Sequence, residues 1–187
     1  MRAIVMNGTG GREMLEHVER PDPVPGPGEA LVEIAFAGVN FMDIGVRQGM
    51  AWTEVPNPKI LGVEGAGRVL AMGDDVADVE PGRRVAWVYA PGSYAERIAI
   101  PAASLVPVPD AIDDRTAASV MMQGLTASHF ATDFYPVQPG DVAAGLDPEA
   151  VAGFLIANIA GIRVAGRGGA DGAALSGLAD MTLRALR

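Results

Sequence analysis

The chain has 187 residues, 49% of them hydrophobic, and a formal net charge of -9, enough length for one well-packed domain with an appendage or for two small domains. No run approaches the ~18 apolar residues of a membrane span, and the acidity argues against a nucleic-acid surface, which is built from clustered Lys and Arg. The absence of cysteine excludes disulfides, an iron–sulfur cluster, cysteine-ligated zinc and a thiol nucleophile.

The start, Met1-Arg2-Ala3-Ile4-Val5-Met6-Asn7-Gly8, turns polar and glycine-rich too early for a signal peptide, so a soluble cytoplasmic protein is expected. Ala3–Met6 and Leu15–Glu19 read as two strands around the turn Asn7–Gly11. The stretch Pro21-Asp22-Pro23-Val24-Pro25-Gly26-Pro27-Gly28 cannot donate a ladder of hydrogen bonds and is a loop. Ala30–Ala37 is the next strand. Short strands follow over Gly62–Ala71, Arg84–Tyr89, Tyr94–Ile100 and Leu105–Val108, with turns at Gly73-Asp74-Asp75 and Pro91-Gly92. Many short strands between Gly and Pro turns predict a small barrel or a partly open sheet.

At Asp113-Asp114 the character changes. Thr116–Gln123 and Thr126–Phe134 are rich in Ala and Met and read as two short helices. Tyr135–Asp141 is a turn expected to lead into a strand. Asp147-Pro148-Glu149 is a helix start, with a capping oxygen, a first-turn proline and an acid at the positive end. Val151, Phe154, Leu155, Ile159 and Ile162 then share one face at helical spacing. After Gly166-Arg167-Gly168-Gly169, Asp171 can cap a second helix striped by Leu175, Leu178, Thr182 and Leu186, giving a helical hairpin with an apolar seam.

His17 and His129 lie far apart without ligand-like spacing, so no metal site is expected. Lys59 is the only lysine. The glycines offer no dinucleotide loop. Gly166-Arg167-Gly168-Gly169-Ala170-Asp171 fails the Gly-x-Gly-x-x-Gly spacing at its last position, and no βαβ unit follows. Gly8–Gly11 and Gly65-Ala66-Gly67 are a turn and a glycine-rich strand.

Seven motifs in order resemble the zinc-free quinone oxidoreductase branch of the medium-chain dehydrogenase/reductase superfamily. They are Gly38-Val39-Asn40-Phe41-Met42-Asp43, Arg47-Gln48-Gly49, Leu61-Gly62-Val63-Glu64-Gly65-Ala66-Gly67, Pro81-Gly82-Arg83-Arg84-Val85-Ala86, Gly92-Ser93-Tyr94-Ala95-Glu96, Gln123-Gly124-Leu125-Thr126-Ala127 and Gln138-Pro139-Gly140-Asp141. The resemblance covers residues 1–141 and implies an α+β chain. Its parts would be a GroES-like β-rich partial barrel over 1–122, a remnant of the entry into a Rossmann domain over 123–141, and short helices. Residues 142–187 form the helical hairpin, and no complete Rossmann domain is expected. Zinc-dependent relatives would carry a cysteine near Asn40 and a histidine at Val63, so the branch implied is metal-free.

The same resemblance implies NADPH as cofactor and hydride transfer to a quinone or conjugated carbonyl. It places Asn40 and Asp43 at the catalytic cleft and Asn40, Gln123 and Thr126 beside the nicotinamide end, with Glu64 a buried polar residue nearby. Each has a plainer reading: Asn40 a turn cap, Asp43 the cap of the helical turn that follows, Glu64 a structural hydrogen bonder, Thr126 an early-helix hydroxyl. Where the family often has tyrosines after the Asn-Phe-x-Asp motif, this chain has Gly45 and Ala51-Trp52, so substrate preference does not carry over.

After Asp141 the family would enter a strand and a phosphate-binding glycine loop; here Val142-Ala143-Ala144-Gly145-Leu146-Asp147-Pro148 follows. Leu146–Ala150, Ile159–Val164 and Ala173–Leu178 resemble the dimerising last helices of a TetR-type regulator. No helix-turn-helix accompanies them. The join is of the kind a gene fusion or internal deletion leaves. The expectation is a truncated or fused oxidoreductase-like protein, weak or inactive alone, with a homodimeric interaction module as the alternative.

Overall fold

A computed structural model of the chain describes residues 1–54, 57–129, 143, 145–147, 169 and 171–184. The chain divides into two compact units, Met1–Ser128 and His129–Arg187.

The first unit holds two antiparallel sheets. In the smaller, β1 (Arg2–Met6) lies between β2 (Leu15–Glu19) and β4 (Lys59–Ile60). In the larger, β3 (Glu29–Gly38), β5 (Glu64–Met72), β6 (Arg84–Val88), β7 (Arg97–Pro101) and β8 (Val106–Pro107) run in the order β7-β3-β5-β6-β8. The larger sheet is open rather than a closed barrel, which settles the alternative that the strand spacing left. The Ala3–Ala95 bridge and the Ile4 N–H bond to the Tyr94 carbonyl at 2.8 Å tie the small sheet to the segment before β7.

Period-2 alternation builds the core. Ala30 and Val32 on β3 face inward opposite Ile100 and Ile98, and Val32 also pairs with Val69. Trp87, Val85, Leu105, Val79 and Ala90 complete the cluster. The Trp87 indole is fully buried and donates to Ser93 Oγ at 3.1 Å, which supplies the partner its N–H needs. The β3–β5 register slips between Ile34 and Phe36. Past this bulge Phe36 is 42% exposed, as expected where an extra residue re-aims the side chains that follow.

Helix α2 (Asp114–His129) lies on the far side of β5 and β6. Ala117 and Ala118 pack on Ala66, Ala86 and Val108, and these small side chains let the helix come close. Asp113 starts the helix: its Oδ1 takes the Thr116 N–H at 2.7 Å, and that bond holds its carboxyl below the usual range. Arg84 reaches from β6 to Asp114 Oδ1 at 2.8 Å.

Two elements differ from the sequence reading. The two helices predicted over 116–134 are one helix as far as His129, because Gly124 interrupts propensity but nothing else and the helix runs through it. The segment after Asn40 is helix α1 (Phe41–Arg47), which the sequence reading foresaw only as a helical turn. In the second unit, helix α3 (Gly172–Arg184) begins as predicted, with Asp171 Oδ1 accepting the Ala174 N–H at 2.8 Å. The predicted strand after Asp141 and the first hairpin helix lie outside the described residues.

Candidate functional site

The site is assembled where β3 ends, α1 begins and α2 crosses β5. Asn40, the residue before α1, is 5% exposed. Its backbone N–H donates to Asp43 Oδ2 at 2.8 Å, so the third helical residue caps the helix from within. Its side chain is held at both ends: Nδ2 donates to Glu64 Oε2 at 2.7 Å, and Oδ1 accepts Gln123 Nε2 at 2.9 Å. The amide orientation is therefore set by an acceptor on β5 and a donor on α2.

Glu64 is 1% exposed and is met by uncharged donors on both oxygens. Its Oε1 takes the Met122 backbone N–H at 2.8 Å, a donor that a helix ordinarily spends on the carbonyl four residues back. The approach depends on Gly38, which pairs with Glu64 across β3 and β5. A Cβ there would stand 2.3 Å from Glu64 Oε2 and 2.5 Å from the Ala118 carbonyl.

Asp43 is 6% exposed and accepts a second bond on Oδ2, from the Tyr94 hydroxyl at 2.7 Å. Burial first, and the Asp43 carboxylate second, push the Tyr94 phenol well above its usual range. Gly62 makes room for that ring: its φ is +87°, and a Cβ there would lie 2.4 Å from the Tyr94 ring. Asp43 Oδ1 is buried without a hydrogen-bond partner.

Asn40, Asp43, Glu64 and Gln123 thus form one bonded cluster. Thr126 is not bonded into it directly; it sits one turn further along α2, exposed, with its Oγ1 donating to the Met122 carbonyl at 2.7 Å. The capping roles foreseen for Asn40 and Asp43 are made. Two members went unnoticed in the sequence: Tyr94, which reads as an ordinary strand aromatic, and the Met122 N–H, which has no side-chain signature. The rim is apolar, with Val39 81% and Phe41 55% exposed. Arg115 stacks over the Phe36 ring at 5.4 Å. Among the described residues, no three His, Cys, Asp or Glu side chains converge as a metal site would require.

Comparison with known proteins gives the following. The alcohol dehydrogenase GroES-like domain matches residues 26–110. The human synaptic vesicle membrane protein VAT-1 homolog is 34% identical over 142 residues, which is 75% of this chain and 36% of that protein. A quinone oxidoreductase of Pseudomonas aeruginosa is 38% identical over 133 residues, 71% of this chain and 41% of its own length. The crystal structure of Escherichia coli quinone oxidoreductase complexed with NADPH matches at a TM-score of 0.70 and 32% identity, over 74% of this chain and 43% of that one. The chain therefore spans well under half the length of these relatives.

Proposed function

Because residues 26–110 belong to the alcohol dehydrogenase GroES-like domain family, within a quinone oxidoreductase-like segment of the medium-chain dehydrogenase/reductase superfamily, we propose that this chain carries the substrate side of a zinc-independent, NADPH-dependent quinone reductase site. The observation that carries the reading is the fixed amide of Asn40, gripped by Glu64 and Gln123 where β3 ends and α1 begins.

The residues fit the nicotinamide end of the cofactor. After its bond to Glu64, the Asn40 amide keeps one Nδ2 hydrogen, a donor that a carboxamide oxygen or a ribose hydroxyl can accept. Thr126, exposed on the same helix as Gln123, keeps acceptor capacity on Oγ1. NADPH, when bound, would supply the hydride for a quinone or conjugated carbonyl. The protein's part is positional: Glu64 and Gln123 hold the Asn40 amide in one orientation, and Asp43 and Tyr94 fix the turn that carries it. No residue of the cluster need act as a strong acid or base.

The residues present do not fit the pyrophosphate. No Gly-x-Gly-x-x-Gly, the pattern of a loop that cradles a pyrophosphate at a helix N-terminus, occurs in the sequence. The chain alone is accordingly expected to turn over quinones weakly or not at all. Calorimetric titration with NADPH checks this; micromolar affinity would overturn it.

The apolar rim supports a second reading, a non-catalytic module that pairs with another copy. Val39, Ile44 and Met50 are 81%, 39% and 68% exposed, and exposed apolar side chains grouped together favour association in water. Sedimentation over a dilution series is expected to show dimers that Val39→Asp dissociates; an unchanged monomer at all concentrations would count against pairing.

A further inference from the structure

The asparagines of the chain are Asn7, Asn40, Asn57 and Asn158, and the residues that follow them are Gly8, Phe41, Pro58 and Ile159. An asparagine side-chain carbonyl can be attacked by the backbone nitrogen of the next residue. Proline has no N–H to give up, and the side chains of phenylalanine and isoleucine crowd the approach. Glycine, with no Cβ, leaves it clear.

The surroundings of Asn7 suit that reaction. The residue is exposed, so water reaches it. Among the described residues no acceptor meets the Gly8 N–H, so the attacking nitrogen has no hydrogen bond to give up. The side-chain amide is held through Nδ2, which donates to Glu16 Oε2 at 2.7 Å. That bond is itself exposed and competes with water, so it opens without any unfolding of the hairpin.

We propose that Asn7 is a site of spontaneous succinimide formation, converting to aspartate and isoaspartate, and that the conversion loosens the turn holding the end of helix α1. The Gly8 nitrogen bonds to Asn7 Cγ and gives its proton to solvent, while the Cγ–Nδ2 bond breaks and the nitrogen leaves as ammonia. Water then opens the imide ring. Opening at the side-chain carbonyl gives aspartate, and opening at the main-chain carbonyl gives isoaspartate; nothing is oxidised or reduced.

Both products exchange a donor for a second carboxylate beside Glu16, and like charges at that range repel. Isoaspartate also lengthens the main chain by one methylene, about 1.5 Å, directly after Met6. Met6 is fully buried in one cluster with Val46 of α1 and Leu61. The turn grips the helix end as well: the Gly10 N–H donates to the Arg47 carbonyl at 2.9 Å, and Arg47 Nη1 donates to the Gly10 carbonyl at 2.8 Å. A change at Asn7 therefore acts on the helix that Asn40 caps, whether or not the chain binds a nicotinamide.

The test ages the full chain in mildly alkaline buffer and follows position 7 by peptide mass spectrometry, with an isoaspartyl methyltransferase to label isoaspartate. Aspartate and isoaspartate are expected to accumulate there, faster at higher pH, while Asn40 and Asn57 stay intact. Gly8→Ala is the control: a Cβ there meets Met14 Sδ at 3.6 Å, an ordinary contact, and the Gly8 backbone is not left-handed. This variant is expected to fold as before and to lose the conversion. The aged chain should melt below the fresh one, and aged Gly8→Ala should melt with its own fresh form. Three results overturn the proposal: Asn7 intact in the folded chain after the urea-unfolded chain has converted, conversion undiminished in Gly8→Ala, or a converted chain that melts with the fresh one.

Discussion

Glu64 accepts from two neutral donors on two different elements, the Asn40 amide of the α1 entry and the Met122 N–H of α2. Removing it takes the partner from a buried amide and from a part-buried helix N–H. Glu64→Ala is therefore expected to destabilise the first unit by about 3 kcal/mol, at roughly 1–3 kcal/mol per orphaned group, measured as a shift of the urea midpoint; a loss within error would mean that the donors find other partners. Tyr94 makes a pH prediction. Its phenol is held above the ordinary range by burial and by Asp43, so the folded state keeps a proton that the unfolded state releases above about pH 10. The stabilisation is complete below that pH and is lost as pH rises further. Tyr94→Phe should flatten the alkaline fall in stability, and an identical alkaline slope in the two proteins would contradict the assignment. Asn40, Asp43, Glu64 and Gln123 were legible in the sequence because each sits in a recurring motif. The bonds between them were not, since Glu64 meets Met122 58 positions away and Tyr94 meets Asp43 51 positions away, and contacts of that separation leave no local pattern.

At the scale of elements, the long strands could be read from alternation and from the Gly and Pro turns that bound them. Helix α1 could not: seven residues including Gly45 and β-branched Ile44 and Val46 have little helical propensity, and the helix forms because Asn40 and Asp43 cap it and Val46 is buried beneath it. Strand β4, two residues long, is defined by its pairing with β1 alone. Helix α2 was cut in two at Gly124, where propensity gave the wrong answer. That residue faces open space, with nothing within 4 Å of where a Cβ would stand. Gly124→Ala is consequently expected to stabilise the helix by ~1 kcal/mol, the difference between Gly and Ala in a helix interior, seen as a higher melting temperature. A decrease would show that the position is packed or strained.

For the whole molecule, the first unit is a GroES-like sheet domain whose polar cluster stands at one end of an open sheet beside an apolar rim. The sequence contains no Gly-x-Gly-x-x-Gly, and Asp171 caps the start of helix α3. In the proposed site Asn40, Gln123 and Thr126 face the nicotinamide end of NADPH. This placement is tested most directly by titrating the isotope-labelled chain with NADPH and following backbone and side-chain amide resonances. Weak, millimolar binding is predicted, with shifts centred on the Asn40 and Gln123 side chains and on Thr126, and diminished in Asn40→Ala. Shifts confined to another surface, or no shift at any residue of the cluster at saturating NADPH, would contradict it.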